Sequence, residues 1–463
     1  MKKLLCIALC LALLSGCAAP AAPTTEPRAN EVQITLSDSA VEFPADSGIQ
    51  TTKEDIHTVV RITRPGTYRV TGSITAGQLA VDLGEDARED PDATVLLILD
   101  NAEIICRTGP AVLFQNVWES GVPNGLAGAH VLLAQGSKNR VVGVSTEEYD
   151  GAFYSRMSMK LDGAGSLRIE CGNEGLCSER HLTIDGGDIS ISSGNDGINA
   201  NADGESVITI NDGRLWIGVA GETGEGDGID SNGSVVINGG HIEAFACADS
   251  MDSGIDADLG IFLNGGTVIA TGNMLDPIDE DSQTYAVFTF AQQQKAPYFT
   301  LKDLYASTVL EAQTPCAFTH LLLSAPELTE GTYTLWSGET QYEGVTSVGG
   351  GGFAQLQPID RPEFPGKGDD GQVEIPPQPT QPIVTHGTPQ PPAEGDRPAD
   401  LPVPPMPPEG AENMPVPQLP EGATPPKEAF DRQPVEIITG VLSTEFAVKE
   451  GGNYFTNVRA VEK

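Results

Sequence analysis

Between Asn173 and Asp258 the chain carries 17 aspartates and glutamates against two arginines, Arg180 and Arg214, and no lysine. Carboxylates can serve as general acids and bases, accept hydrogen bonds from hydroxyls, or supply oxygen ligands to a hard cation. Their spacing narrows the choice. An acid-Gly-apolar step recurs as Glu174-Gly175-Leu176, Asp196-Gly197-Ile198 and Asp227-Gly228-Ile229; in the last copy Ser253 precedes Gly254-Ile255 and Asp252 falls one place earlier. After each step the polar residues align as Asn199, Asp230 and Asp256, and two places further as Asn201, Asn232 and Asp258. In an extended strand both series point to one face, and strands stacked roughly 4.8 Å apart would set these acids side by side. Like charges placed so closely destabilise a sheet unless something positive lies among them. Ca2+, which takes about 6–8 oxygen ligands in flexible geometry, suits that need. The expected ligands are Asp196, Asp227, Asp230, Asp252, Asp256, Asp258, Asn199 and Asn232, with Asp249 adjoining; a bare, solvated acidic face is the competing reading. GEGDGID (Gly224 to Asp230) is not iterated as a calcium nonapeptide would be, and an EF-hand starting at Asp256 would meet Thr267 where glutamate is required.

The elements that must position these acids are repeats. LTIDGGDISI, ITINDGRLWI, VVINGGHIEA and IFLNGGTVIA place the second residue of a Gly-type turn at Gly187, Gly213, Gly240 and Gly266, in steps of 26, 27 and 26 residues. Units of this length cannot bury their own apolar faces and must stack. Alternation of period two marks strands rather than helices. Stacking the copies aligns four apolar columns: Leu182, Ile208, Val235, Ile261; Ile184, Ile210, Ile237, Leu263; Ile189, Leu215, Ile242, Val268; and Ile191, Ile217, Ala244, Ala270. Asp185, Asn211, Asn238 and Asn264 fall at the turn as a polar ladder. With the acid-Gly step as a third strand, the expectation is an all-β, parallel β-helix of three strands per rung, right-handed as crossover connections usually are. Strand-like segments from Glu31 to Val144, including ATVLLILDN (Ala93 to Asn101), read as irregular early rungs, and strands after Gly272 as a closing cap.

Two outward aromatics on adjacent rungs, Trp216 and Phe245, with Arg214 beside them, are the carbohydrate-binding candidates; burial of the rings beneath a loop such as Gly221 to Gly226 is the alternative.

The ends have a different grammar. Met1 to Gly16 reads as a signal peptide, and Leu14-Ser15-Gly16-Cys17 looks like a lipobox, so Cys17 is the expected lipidation site and the protein is expected to be extracytoplasmic and membrane-anchored. A tether to about residue 30 follows. From Pro358 to Pro434 lie 22 of the 34 prolines, a composition that builds no core and predicts a disordered spacer. Val435 to Lys463 is apolar again and compatible with packing back or with a separate hairpin. A net charge of −39 excludes nucleic acid as a natural partner. Beyond the leader and Cys17, five cysteines remain without metal-type spacing; a Cys171–Cys177 bridge and buried free thiols are both compatible with the sequence.

GTYRVTGSITAGQLAVD (Gly66 to Asp82), VLLILDNAEI (Val95 to Ile104), QGSKNRV (Gln135 to Val141), the DGI/NGG rungs and GVTSVGGGG (Gly344 to Gly352) together resemble the bacterial carbohydrate-binding domain family of clostridial and related surface proteins. The resemblance covers about Glu31 to Gly352. It implies a parallel β-helix lipoprotein that binds cellulose or pectic polysaccharide and carries Ca2+, with the family's acidic calcium positions falling on Asp196, Asp227, Asp230 and Asp256. Such β-helices also resemble polysaccharide lyases, and those most like this family use a lysine base. This chain has no lysine from Leu161 to Gln294. The expectation is therefore a monomeric, non-catalytic binder of plant-type polysaccharide, with a uronate lyase as the first alternative and a structural surface protein as the second.

Overall fold

The computed structural model describes residues 30–54, 57–221, 223–347 and 441–461. The leader, the Cys17 lipobox, most of the tether and the proline-rich spacer lie outside the described residues.

The described chain is all-β apart from one short 3-10 turn at Glu85–Glu89, and its two sheets are rich in parallel pairs. The repeats pair in the register that the apolar columns require. Leu182 aligns with Ile208, Ile208 with Val235 and Val235 with Ile261. In the second strand of each unit Ile189, Leu215, Ile242 and Val268 align likewise. All 16 residues of the four columns belong to one core and are at most 4% exposed. A slip of one residue would turn every one of them to the outside, which is why the register is so firmly specified. The expected polar ladder forms as well. Asn211 Nδ2 donates to Asp185 Oδ1 at 2.6 Å, Asn238 to Asn211 at 2.8 Å and Asn264 to Asn238 at 2.8 Å, and Lys160 pairs with Asp185 at the ladder's end. The glycine after each ladder residue pair is held at positive φ, between 81° and 114°, where a side chain would be strained.

The acid-Gly steps form a separate nine-stranded sheet. Its last four strands are Glu174–Ser178, Ile198–Ala200, Ile229–Ser231 and Ile255–Ala257, all parallel. The step glycine is required by close approach: a Cβ on Gly197 would stand 2.1 Å from Ile217 Cγ2 and 2.6 Å from the Gly228 carbonyl. Earlier strands, from His57–Ile62 to Gly151–Ser155, extend the same sheet, so the segment before the regular repeats stacks on them.

After Gly272 the pairing changes. Phe318–Ser324 runs antiparallel to both Thr267–Gly272 and Tyr285–Gln294, and Gly452–Ala460 lies parallel to Tyr285–Gln294. The C-terminal segment therefore packs back. Its Phe455 stacks on Phe288 at 5.1 Å, within a second core that also holds Phe290, Phe299, Phe318 and Phe446.

Candidate functional site

The outward side of the nine-stranded sheet carries one column in strict register: Leu113, Tyr154, Cys177, Asn199, Asp230, Asp256. It begins apolar, with Tyr154 and Cys177 fully buried among Val59, Ala80 and Leu113, and ends acidic. Short strands and their turns thus place carboxylates one rung apart, as the spacing of the acid-Gly steps requires.

The turn acids have a defined backbone role. Asp196 Oδ1 accepts the Asp227 amide at 2.8 Å, and Asp227 Oδ1 accepts the Ser253 amide at 2.5 Å, so each step acid ties down the next rung. Asn199 Nδ2 donates to Glu174 Oε1 and to Asp196 Oδ2, both at 3.1 Å. Glu174, absent from the ligands expected from sequence, is thereby part of the cluster; its signal was its place at the head of the first acid-Gly step. Cys177 donates its thiol to Glu174 Oε2 at 2.8 Å.

These carboxylates are held away from their ordinary acidity. Burial, then the charges of Asp256, Asp196 and Asp252, carries Asp227 up to about 9 despite the Ser253 amide. Burial, then Asp196 and Asp256, carries Asp230 up to about 8. Burial raises Glu174 to about 7 and Asp196 to about 6, in each case partly offset by hydrogen bonds that favour the anion. Asp256 is also raised by burial and by Asp258 and Asp252. Burial is the common and largest cause, and repulsion among the neighbouring carboxylates adds to it.

The remaining expected ligands have other hydrogen-bond partners or stand exposed, although Asp252 and Asp258 lie close enough for their charges to act on the group. Asp252 turns back to accept the Gly226 amide at 2.5 Å, because Ser253 occupies its place in the register. Asn232 is engaged with the Asn201 carbonyl and Asp203 Oδ1, at 3.1 and 3.0 Å, while Asp258 and Asp249 are exposed. Among the described residues no three His, Cys, Asp or Glu side chains converge as a ready-made metal cage. The chemistry of the donors nevertheless fits an oxygen-seeking cation, and Asn199 Oδ1, in a residue 7% exposed, is buried with no hydrogen-bond partner. A buried acceptor left unmatched beside several carboxylates lacks a positive neighbour.

The carbohydrate-binding candidates lie elsewhere. Arg214, Trp216 and Phe245 sit on Arg214–Val219 and His241–Phe245 of the other sheet, not on the acidic face. Arg214 is exposed, 3.9 Å from Glu243 Oε2. Trp216 and Phe245 are 8% and 0% exposed, with centroids 6.2 Å apart. This corrects the expectation of a stacking surface: both rings do point away from the rung interior, but the C-terminal cap covers them, and they join its core with Ile269 and Phe288. Trp216 and Ile269 share one outward column with Glu243 between them, and Phe245 lies in the next column beside Gly218; large apolar side chains on three adjacent rungs of this face were the available sign of a cover. The five cysteines are free thiols, so no Cys171–Cys177 bridge forms.

A family model for carbohydrate-binding domain-containing proteins matches residues 56–293, just over half of the chain. The chain belongs to that carbohydrate-binding family. The matched segment contains every regular rung and the whole acidic column; it ends before the strand Tyr298–Asp303 of the cap. Among solved structures, the polysaccharide lyase-like protein from C. thermocellum, studied as a gadolinium derivative, aligns at 21% identity with a TM-score of 0.38, covering 51% of this chain and 92% of that one. No curated protein matches this member of the carbohydrate-binding family.

Proposed function

We propose that this protein is a lipid-anchored, extracytoplasmic parallel β-helix that binds an extracellular polysaccharide with the help of Ca2+ and performs no chemistry on it. The observation that carries the reading is the carboxylate column: Asn199, Asp230 and Asp256 stand in register, with Glu174, Asp196 and Asp227 beside them, and Asn199 Oδ1 is left unmatched among them. Asp230, Asp256 and Asn199 are the groups that would hold the ion, with Asp196 and Asp227 at its flank. When bound, Ca2+ supplies positive charge that a sugar carboxylate can share.

Pectic glycan suits this face better than cellulose. The burial of Trp216 and Phe245 removes the aromatic surface on which a neutral chain would have to stack. A chain of net charge −39 meets a polyuronate only through bridging cations. No lysine lies between Leu161 and Gln294 to serve as a base, and Arg214, a conceivable substitute, stands on the other sheet.

Retention of the purified protein on immobilised polygalacturonate, with Ca2+ and with a chelator, tests the reading, while ultraviolet absorbance follows unsaturated uronate. Retention that the chelator abolishes, without product, is expected. Product formed by native but not by denatured protein would overturn the non-catalytic assignment, and retention indifferent to the chelator would remove Ca2+ from it.

A further inference from the structure

The cap presents an aromatic face that the matched family segment does not include. On Tyr298–Asp303 the residues Phe299 and Leu301 point into the cap core at 1% and 0% exposure, so Tyr298, Thr300 and Lys302 take the opposite face. On Gly331–Ser337 the core takes Tyr333 and Leu335, so Thr334 and Trp336 point outward with them. The two strands pair with Thr300 opposite Trp336 and Lys302 opposite Thr334. Trp336 therefore stands diagonally between Tyr298 and Lys302, within reach of both. Trp336 Nε1 donates to Thr334 Oγ1 at 2.9 Å, which fixes the indole, and the Lys302 ammonium rests 5.3 Å from its centroid. Tyr298 is 38% exposed. The same row continues through Glu311 on one side and Gln341 on the other.

We propose that this face is a second glycan-binding surface, selective for a neutral chain of flat pyranose rings. Two surface aromatics on adjoining strands offer apolar planes with polar edges, a combination suited to a ligand that is apolar on its ring faces and hydroxylated at its rim. Lys302, Thr334, Glu311 and Gln341 supply donors and acceptors for those hydroxyls, while Thr300 between them is buried. Charge decides the class of glycan. Glu311, opposite Thr300, stands diagonal to Lys302, so the face carries one acidic and one basic side chain and no excess of positive charge, and the rest of the molecule is strongly negative. A polyuronate is repelled here and a neutral β-glucan is not. The surface is separate from the acidic column and needs no cation; it shares with the function proposed above only the class of ligand.

The test uses the full-length protein in native gels containing soluble hydroxyethylcellulose, with cellohexaose titration by calorimetry, each with and without a chelator. Retardation and binding that persist in the chelator are expected. Trp336→Ala and Tyr298→Ala should each weaken binding about tenfold at unchanged thermal midpoint, Trp336→Phe should retain most of it, and Asp230→Asn should leave it intact. Tyr298→Ala keeps the test open should Trp336→Ala fail to fold. Any of four results overturns the proposal: no binding of either neutral glucan by the wild type, wild-type affinity in folded Trp336→Ala and Tyr298→Ala proteins, loss of binding in Asp230→Asn, or self-association in sedimentation that Trp336→Ala abolishes. The last would assign the face to a second copy of the chain. Failure of chelator-sensitive polygalacturonate binding, by contrast, bears on the acidic column alone.

Discussion

Asp230 is where the electrostatics concentrate. It aligns with Asn199 on one side and Asp256 on the other, and its pKa is raised to about 8 by burial and by four neighbouring carboxylates. Without a cation, Asp230→Asn should stabilise the fold by about 1 kcal/mol, since a like-charge neighbour is removed; with Ca2+ present, the variant should lose most of the midpoint gain that the ion gives the wild type. Calorimetric melting of both proteins with and without Ca2+ checks the reversal of sign. The pH dependence has a definite direction too. A carboxylate whose pKa is raised in the folded state binds its proton more tightly in the native chain than in the unfolded one. Its contribution is therefore fully present below about pH 4 and is lost as pH rises through the folded values, about 6 for Asp196 to about 9 for Asp227. Metal-free protein should melt at progressively lower temperature across that window, and saturating Ca2+ should flatten the slope. A metal-free midpoint that rises from pH 6 to pH 9 would contradict the coupling of these acids.

At the scale of the element, the acid-Gly-apolar step explains why the acidic face exists. The acid accepts an amide of the next rung, the glycine lets the third strand press against the second, and the apolar residue fills the core. Gly197→Ala puts a Cβ within 2.1 Å of Ile217 and 2.6 Å of a backbone oxygen. Only the first of these neighbours has a side chain that can shift, so the substitution should cost about 1–3 kcal/mol, read as a lower denaturant midpoint at unchanged slope. Much of this element was legible in the sequence: the 26-residue interval, the four core columns, the Asp185–Asn264 ladder and the acidic register follow from alternation and repeat length. Glu174's membership was not, because only the packed turn shows Asn199 reaching back one rung to it. Nor were the hydrogen-bond partners of Asp252 and Asn232, which depend on which groups each side chain meets in the folded chain.

For the whole molecule, the cap decides what the repeats expose. Gly452–Ala460 completes it from the far end of the chain, with Phe455 unexposed between Phe288 and Phe446, whose centroids lie 5.1 and 4.9 Å away. Phe455→Ala should cost about 3–5 kcal/mol and uncover Trp216, detectable as a red shift in fluorescence before global melting. Gly344 and Ser443 exchange backbone hydrogen bonds of 2.9 Å, so the two ends of the segment between them lie side by side. Replacing residues 351–440 with about ten Gly and Ser residues should therefore preserve the fold and raise its stability by about 2 kcal/mol, the loop-closure entropy of roughly three halvings in length. A lower midpoint in that deletion would mean that the proline-rich sequence contributes contacts of its own.

The sequence by itself determined the stacked β-architecture, the inward columns and the alignment of the acids, because a period of two and a fixed rung length leave one register that buries the apolar set. It also determined which side of the strand Trp216 and Phe245 take. Only the tertiary structure decided that this side is covered, that the C-terminal segment is part of the cover, and that Trp336 faces outward with Tyr298 beside it. Alternation is a local property of one strand, whereas exposure depends on what a distant part of the chain lays over it. That is why the expected stacking surface became core, and an aromatic pair on the cap took its place at the surface.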